Sequence, residues 1–465
     1  MVFLSFDFLA SFSVFLCVYW IFQYRPLFQN ILLLISSYCF ICIFSISSAS
    51  VLLGYSTVIY FIALISSKYG WRKVSYAALL FSVFVFFFIF KYYVWGRELV
   101  MGLLQFIGIQ KDLPVLDIIV PMGISFYIFH SVSYVVSVVN REIKPVSFFT
   151  LLLYLSFFPS VVSGPINRAK TFIPQLTVSR PRQLDEWQRG VFEIVLSMLK
   201  LFCLSSLAQQ YLVDNVFSSP ESYSGIRIIS AAYGYAWQIY FNFSGYTNLV
   251  TGIALLLGFH LPENFNSPYL AHSLKEFWSR WHISLSSFIR DYIYIPLGGS
   301  RNGLLRANLN VIIAMMLSGL WHGVGLTFIV WGGIHGVGLA LLNIKNKLLP
   351  SCMINPRAPL LARFLTFNFV SFCWIFFRSL DIDSALTMVM RIPEIKTASS
   401  TDVVTLILVL FVYLIYPHLT RYRKHCCEWF IRQPWWFLPI PLASFVSIVF
   451  ILSPDGVPGF IYANF

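Results

Sequence analysis

The chain has 465 residues, of which 58% are hydrophobic and 11% charged. Soluble domains run near ~45–50% apolar and ~25% charged, and surface-to-volume scaling leaves even large ones in need of polar cover. The composition therefore excludes an ordinary soluble fold, and the net charge of +13 reads as Lys- and Arg-rich cytoplasmic loops rather than as a nucleic-acid footprint.

Apolar runs of spanning length, ~17–25 residues, fall near 2–22, 28–46, 51–67, 74–95 and 115–139. Others fall near 190–213, 228–258, 307–343, 360–377, 403–418 and 436–453. The blocks 228–258 and 307–343 are long and interrupted by Gly, so each has room for two helices. The expectation is an all-α polytopic membrane protein with roughly ten to thirteen transmembrane helices. Met1 to Trp20 has no basic leading region and no small-residue cleavage site, so it reads as a retained first helix.

The early loops set an orientation. Arg25 follows the first span, the stretch Ser45 to Ser50 after the second is uncharged, and Lys68, Arg72 and Lys73 follow the third. Arg97, Glu98, Lys111 and Asp112 cancel after the fourth, and Arg141, Glu142 and Lys144 follow the fifth. The alternating basic excess places the N-terminus outside. The run Phe148 to Val162 is short for a crossing and is followed by Arg168, Lys170, Arg180, Arg182 and Arg189. It reads as re-entrant or buried, because irregular backbone at membrane depth survives only where protein or water covers it.

The cysteines carry no clear chemistry. Cys39 and Cys42 lie a turn apart in an apolar stretch and read as helix packing, since thiolate chemistry needs an electropositive, accessible site. Cys426 and Cys427, in a basic juxtamembrane segment, are open to lipidation but need no special role.

Three polar sets interrupt the apolar pattern. Asn242, Ser244, Tyr246, Thr247 and Asn248 lie in QIYFNFSGYTN, where they either line a polar tunnel or tie helices together. Lys275 to Arg301 is too polar for a lipid-exposed span and too aromatic for a loop; it reads as an interfacial amphipathic helix, with His282 among its tryptophans. Leu317 to Leu339 is apolar but holds His322 and His335, and ionisable groups in a membrane are costly and usually functional. Gly319, Gly323 and Gly325 allow a substrate or another backbone to approach His322 closely, which favours a functional reading; His335, between glycines, stays open. His130 and His260 read as structural. There is no phosphate-binding loop, no HExxH, no paired-cysteine metal spacing and no GxSxG elbow. A histidine base acting at membrane depth is the remaining chemistry, since an unperturbed value near ~6.5 lets a buried imidazole stay neutral and accept a proton.

At these residues the chain resembles the membrane-bound O-acyltransferase family, more narrowly its bacterial alginate O-acetylation branch. The motifs in order are Pro121 to Phe126, Phe157 to Arg168, Gln238 to Asn248, Leu261 to Ala271, Phe277 to Ser286 and Arg290 to Gly299. Trp321 to Gly323, Gly333 to Gly336, Phe372 to Arg378 and Phe460 to Phe465 complete them, over nearly the whole chain. The resemblance implies one membrane-embedded domain over 1–465, with a motif core at 115–343 and C-terminal helices at 360–465. It implies a ring of helices around a central thinned region with a polar tunnel. It implies His322 as the catalytic histidine and His282 as the second signature position, with Trp281, Arg280, Trp321, Asn242, Asn248 and His335 along the path. Two positions depart from the family pattern: Asn242 and Asn248 stand where acidic residues are usual, and Ser279 precedes Arg280 where a basic pair is usual.

The implied activity is transfer of an acyl group, acetyl by preference, from cytoplasmic acetyl-CoA across a bacterial inner membrane, with no metal or resident cofactor and no nucleic-acid partner. The implied acceptor is an alginate-like exopolysaccharide, cellulose or peptidoglycan. The implied partner is a separate extracytoplasmic SGNH-type transferase with a Ser–His–Asp site. Two alternatives stand beside it: D-alanyl transfer to teichoic acid, and a non-enzymatic transporter or flippase of acylated precursors.

Overall fold

The computed structural model describes residues 6–109, 113–116, 118, 120–162, 164–348 and 359–454. The motif at Phe460 to Phe465 and the loop charges Lys111 and Asp112 lie outside the described residues. Among the described residues there is no β-strand; Phe265 and Trp281 form an isolated antiparallel bridge. The chain is thus an all-α, multi-pass membrane protein. Eight described helices are long and apolar enough to cross a membrane, and Asp7–Ile21, Ile124–Val139 and Pro439–Leu452 are apolar but shorter.

The described residues form two compact units. The first comprises Met1–Trp187 with Ile253–Pro262. It holds α1 (Phe6–Ile21), α2 (Pro26–Phe44), α3 (Ile46–Tyr69) and α4 (Arg72–Phe106, with a π-helical turn at Phe88–Tyr92). Then come α5 (Ile124–Val139), α6 (Phe148–Ser156), α7 (Phe158–Val161) and α8 (Ala169–Leu176). Local chemistry sets the ends of α3: Ser45 caps it by accepting the Ser48 N–H at 3.2 Å, and Gly70 closes it at φ +68°.

The stretch 148–162 is a broken pair of short helices, neither long enough to span, parted at Phe157 with Pro159 in the first turn of the second. Side chains satisfy its irregular surroundings. Ser37 Oγ accepts the Phe158 N–H at 3.1 Å, and His130 Nε2 accepts the Asn167 N–H at 3.1 Å. Tyr154 OH donates to the Asn167 carbonyl at 2.7 Å. His130 thus has a structural task. Arg182 ties the start of the chain together, donating to Gln29 Oε1 at 3.2 Å and Asn30 Oδ1 at 2.6 Å and stacking over Phe259 at 4.6 Å.

The second unit comprises Gln188–Gly252 with Glu263–Phe465. Its helices are α9 (Trp187–Ser218), α10 (Gly225–Leu256), α11 (Leu274–Arg280), α12 (Ile283–Ile289), α13 (Gly303–His322) and α14 (Leu326–Leu348). They continue as α15 (Pro359–Arg378), α16 (Ile382–Arg391), α17 (Ser400–Ile431) and α18 (Pro439–Leu452). The block 307–343 is two helices, as its glycines suggested. The block 228–258 is not: α10 runs unbroken for 32 residues. Its glycines serve packing instead. A Cβ on Gly245 would meet Leu201 Cγ at 2.9 Å and one on Gly234 would meet Leu212 Cβ at 2.8 Å, so α9 closes directly onto the α10 backbone. Among the described residues, eight long and three shorter apolar helices thus account for the apolar runs.

Candidate active site

The site lies wholly in the second unit, where α13 and α14 form a tight hairpin. A Cβ on Gly319 would collide with the Phe328 carbonyl oxygen and one on Gly332 with the Met315 carbonyl oxygen; one on Gly336 would meet Ile312 Cα at 2.8 Å. The glycines around His322 therefore admit the neighbouring helix backbone. His322 is the last residue of α13 and is 2% exposed. Its ring sits edge-on to Trp331 at 5.2 Å and Phe377 at 5.2 Å, and 4.8 Å from Trp321.

His282, 40 residues earlier in the chain, lies with its ring centroid 6.4 Å from that of His322. It is fully buried and adopts the left-handed conformation at φ +42°, ψ +55°. For a residue with a side chain this costs about 1–3 kcal/mol and persists only where the surroundings dictate it. Here they do: Ile283 N–H donates to the Asn264 carbonyl at 3.0 Å, Asn266 N–H donates to the Arg280 carbonyl at 2.9 Å, and the Phe265–Trp281 bridge lies between.

The same segment fixes the tautomer. Asn264 Oδ1 accepts from the Ser284 backbone N–H at 3.3 Å and from Ser284 Oγ at 2.8 Å, and it lies 3.0 Å from His282 Nδ1. A backbone N–H only donates, so the atom facing it is the amide oxygen. His282 Nδ1 must then carry the proton, which puts the lone pair of the neutral ring on Nε2. Asn264 was not singled out from the sequence; it sits 18 positions before His282 in a loop, and only the bridge brings the two together.

The remaining residues separate by environment. Trp281 is 1% exposed and packs on Phe265, Phe277 and Trp374 at 5.1–5.7 Å. Asn242 is fully buried on α10. His335 is fully buried one aromatic layer from His322, with Trp331 between the two at 5.1 and 5.2 Å. Phe277, Trp278 and Phe369 complete its surroundings, and neither ring nitrogen makes a hydrogen bond. Arg280 is engaged at the periphery: Nε and Nη2 donate to Glu276 Oε1 at 3.0 and 2.8 Å, and Nη1 donates to the Asn266 carbonyl at 3.2 Å. Partial burial pushes the Glu276 carboxyl up, but the bonds from His272 and Arg280 outweigh it and hold the group below its ordinary value.

Asn248 belongs to a separate polar cluster. Its amide nitrogen donates to Glu193 Oε2 and its oxygen accepts from Lys200 Nζ at 2.7 Å, while Arg423 Nη2 donates to Glu193 Oε1 at 3.0 Å. An acidic residue at 248 would face the Glu193 carboxylate, so the departure from the family pattern at this position is matched by a glutamate on α9. No three His, Cys, Asp or Glu side chains among the described residues converge as a metal site.

A cavity of about 560 Å³ reaches the hairpin from the side of α12. Exposed Lys275 and Arg290 border its open end, and buried Ala314, Met315 and Ser318 its deep end, the last of these one helical turn before His322.

Two buried imidazoles, His282 and His322, thus lie side by side within an aromatic shell in a multi-pass membrane protein. Residues 16–379 match the model of MBOAT, the membrane-bound O-acyltransferase family, and the chain belongs to that family. It is 33% identical over 395 residues to the Probable alginate O-acetylase AlgI of Pseudomonas aeruginosa, covering 83% of this chain and 74% of that one. It is 33% identical over 298 residues to the Peptidoglycan O-acetyltransferase of Helicobacter pylori, covering 58% of this chain and 56% of that one. It is 29% identical over 284 residues to the Teichoic acid D-alanyltransferase of Bacillus subtilis, covering 58% and 71%. As a member of this family the protein is an O-acyltransferase, which sets aside the reading as a transporter without chemistry.

Proposed function

We propose that this protein takes an acetyl group from cytoplasmic acetyl-CoA and passes it through the bacterial inner membrane for O-acetylation of a cell-envelope polysaccharide. The observation that carries the reading is the pair of buried imidazoles, His322 and His282, 6.4 Å apart within an aromatic shell. In this mechanism His322 removes the proton of an acceptor hydroxyl as its oxygen attacks the thioester carbonyl. The new C–O bond forms, the C–S bond breaks, and the proton returns to the departing thiolate. Proton transfer of this kind contributes about 10²–10⁴-fold. His282, with its proton committed to Asn264, presents Nε2 as an acceptor and assists by orienting the imidazolium that forms on His322 beside it. Trp281, Trp321 and Asn242 line the path; Arg280, Asn248 and His335 support its walls.

The basic mouth and buried end of the 560 Å³ cavity support a donor with an anionic carrier and a thioester arm. The N-terminus is placed outside by the loop charges, and the acetyl group goes on to a separate extracytoplasmic transferase of the Ser–His–Asp type. The test compares a deletion strain carrying the wild-type chain or His322→Ala at equal expression. Base-labile acetate is measured in the peptidoglycan and exopolysaccharide fractions. Acetate restored in one fraction by wild type alone supports the mechanism and identifies the acceptor. Equal restoration by both chains overturns the role of His322, and base-labile D-alanine in place of acetate moves the donor to an aminoacyl carrier.

A further inference from the structure

A second, larger cavity in the same unit has no part in this chemistry. It lies between α9, α10 and α17 and holds about 810 Å³, within the range of about 300–1,000 Å³ common for ligand sites. Its wall is apolar, with Leu196, Leu199, Leu204, Leu408 and Leu419. From Thr405 to Arg423 it follows α17 for 18 residues, which is about 27 Å of helix and close to the ~30 Å of a bilayer's hydrocarbon core. The α17 segment beside it is only 17% buried, so the groove opens toward the lipid.

Its ends are not apolar. At one end Arg227 is occupied, donating to Thr405 Oγ1 at 3.0 Å and to the Tyr211 carbonyl at 2.8 Å. At the other, Lys200 and Arg423 border the groove together. Lys200 is 7% exposed and lies in the π-helical turn Leu199–Ser205, a distortion that often marks functional positions. Its Nζ donates to Ser244 Oγ at 3.0 Å and Asn248 Oδ1 at 2.7 Å, both neutral. An ammonium has three donors, and beyond these two bonds Nζ lies over the Tyr240 ring, 5.6 Å from its centroid. Glu193 is the carboxylate of the cluster, and it is taken by Arg423 Nη2 and the Asn248 amide. Two cations therefore face one carboxylate, and the half-exposed Arg423 reaches Glu193 through Nη2, leaving Nε and Nη1 without a hydrogen-bond partner among the described residues. An excess of positive charge, with Lys200 buried and the Arg423 side chain 43% exposed beside it, at the end of a span-length apolar groove calls for an anion attached to a hydrocarbon chain.

We propose that this groove binds one anionic glycerophospholipid, with an acyl chain along the leucines and the phosphate at Lys200 and Arg423. The occupant is a lipid rather than a free phosphate because most of the wall is hydrocarbon. It is an anionic lipid rather than a zwitterionic one because the cluster has unbalanced positive charge.

The test is native mass spectrometry of the full chain released from neutral detergent. Phosphatidylglycerol or phosphatidylcholine with identical acyl chains is titrated in. Wild type should hold one phosphatidylglycerol at least tenfold more tightly than phosphatidylcholine. Lys200→Met, which leaves the Glu193 pairings intact, should remove that preference without changing phosphatidylcholine binding. Leu408→Trp, on a residue 59% exposed and so harmless to folding, should weaken both lipids. Millimolar glycerol 1-phosphate should displace neither. Equal wild-type affinities, an unchanged preference in Lys200→Met, or full phosphatidylglycerol binding by Leu408→Trp would each overturn the proposal. Displacement by glycerol phosphate would reduce the site to one for a free anion and overturn it as well.

Discussion

Replacing Asn264 by leucine removes the amide oxygen and nitrogen and keeps the shape; the nitrogen makes no hydrogen bond among the described residues, so the oxygen is the loss that counts. That oxygen, on a residue 1% exposed, faces three donors: His282 Nδ1, the Ser284 N–H and Ser284 Oγ. The serine hydroxyl can turn to another acceptor, but the other two donors are fixed. Each buried donor left unpaired costs about 1–3 kcal/mol. The histidine can move its proton to Nε2 but keeps one N–H in either tautomer, so the stability loss should be at least that of the Ser284 N–H, about 1–3 kcal/mol. That move places the lone pair on the wrong nitrogen, and turnover should fall about 10²-fold, the lower end of the range for proton-transfer groups. Asn264→Asp keeps an acceptor at the same point and should retain more turnover than leucine. The assay is base-labile acetate from a deletion strain carrying each variant at equal level, with the unfolding temperature of the purified proteins beside it. Half or more of wild-type turnover in Asn264→Leu, or an Asn264→Asp protein as inactive as the leucine variant, would refute the tautomer reasoning.

Three further outcomes are expected. Gly332→Ala should cost about 1–3 kcal/mol by overpacking, because its Cβ meets backbone across the α13–α14 hairpin; a lowered melting temperature together with lost acetylation is the expected readout. Asn248→Asp should destabilise by setting a carboxylate against Glu193, and Glu193→Gln should restore stability in the double variant, with a coupling of about 0.5–3 kcal/mol in a double-mutant cycle. The Glu276 carboxyl is held below its unfolded value of about 4.3. Its contribution is therefore present at neutral pH and lost as pH falls through the folded value; melting temperatures from pH 6 to acid should show a step that Glu276→Gln removes.

How much of this protein is legible in its sequence depends on the range of the interaction responsible. Solvent class is a property of composition, so the scarcity of charge sufficed to place the chain in lipid. Helices there satisfy their own backbone, and apolar length marks most of them without reference to the rest of the molecule. The break between α13 and α14 was readable because Gly323 and Gly325 lie where the helix must end. His322 and His282 stood out because an ionisable group among apolar residues needs a reason wherever it is folded.

Residues whose meaning depends on a distant partner were not readable. The glycines of α10 look like breaks in one dimension and are contact points in three, since only the packed α9 shows what fills the missing Cβ. Asn248 looks like a lost acid until Glu193, 55 positions away, supplies it. That Glu276 and the Asn266 carbonyl hold the Arg280 guanidinium could not be read from the sequence. Asn264 is an unremarkable loop residue until an antiparallel bridge sets it against His282. Composition and periodicity carry information on solvent and local conformation; hydrogen-bond partners and tautomers are decided only when tertiary structure brings separated donors and acceptors within about 3 Å.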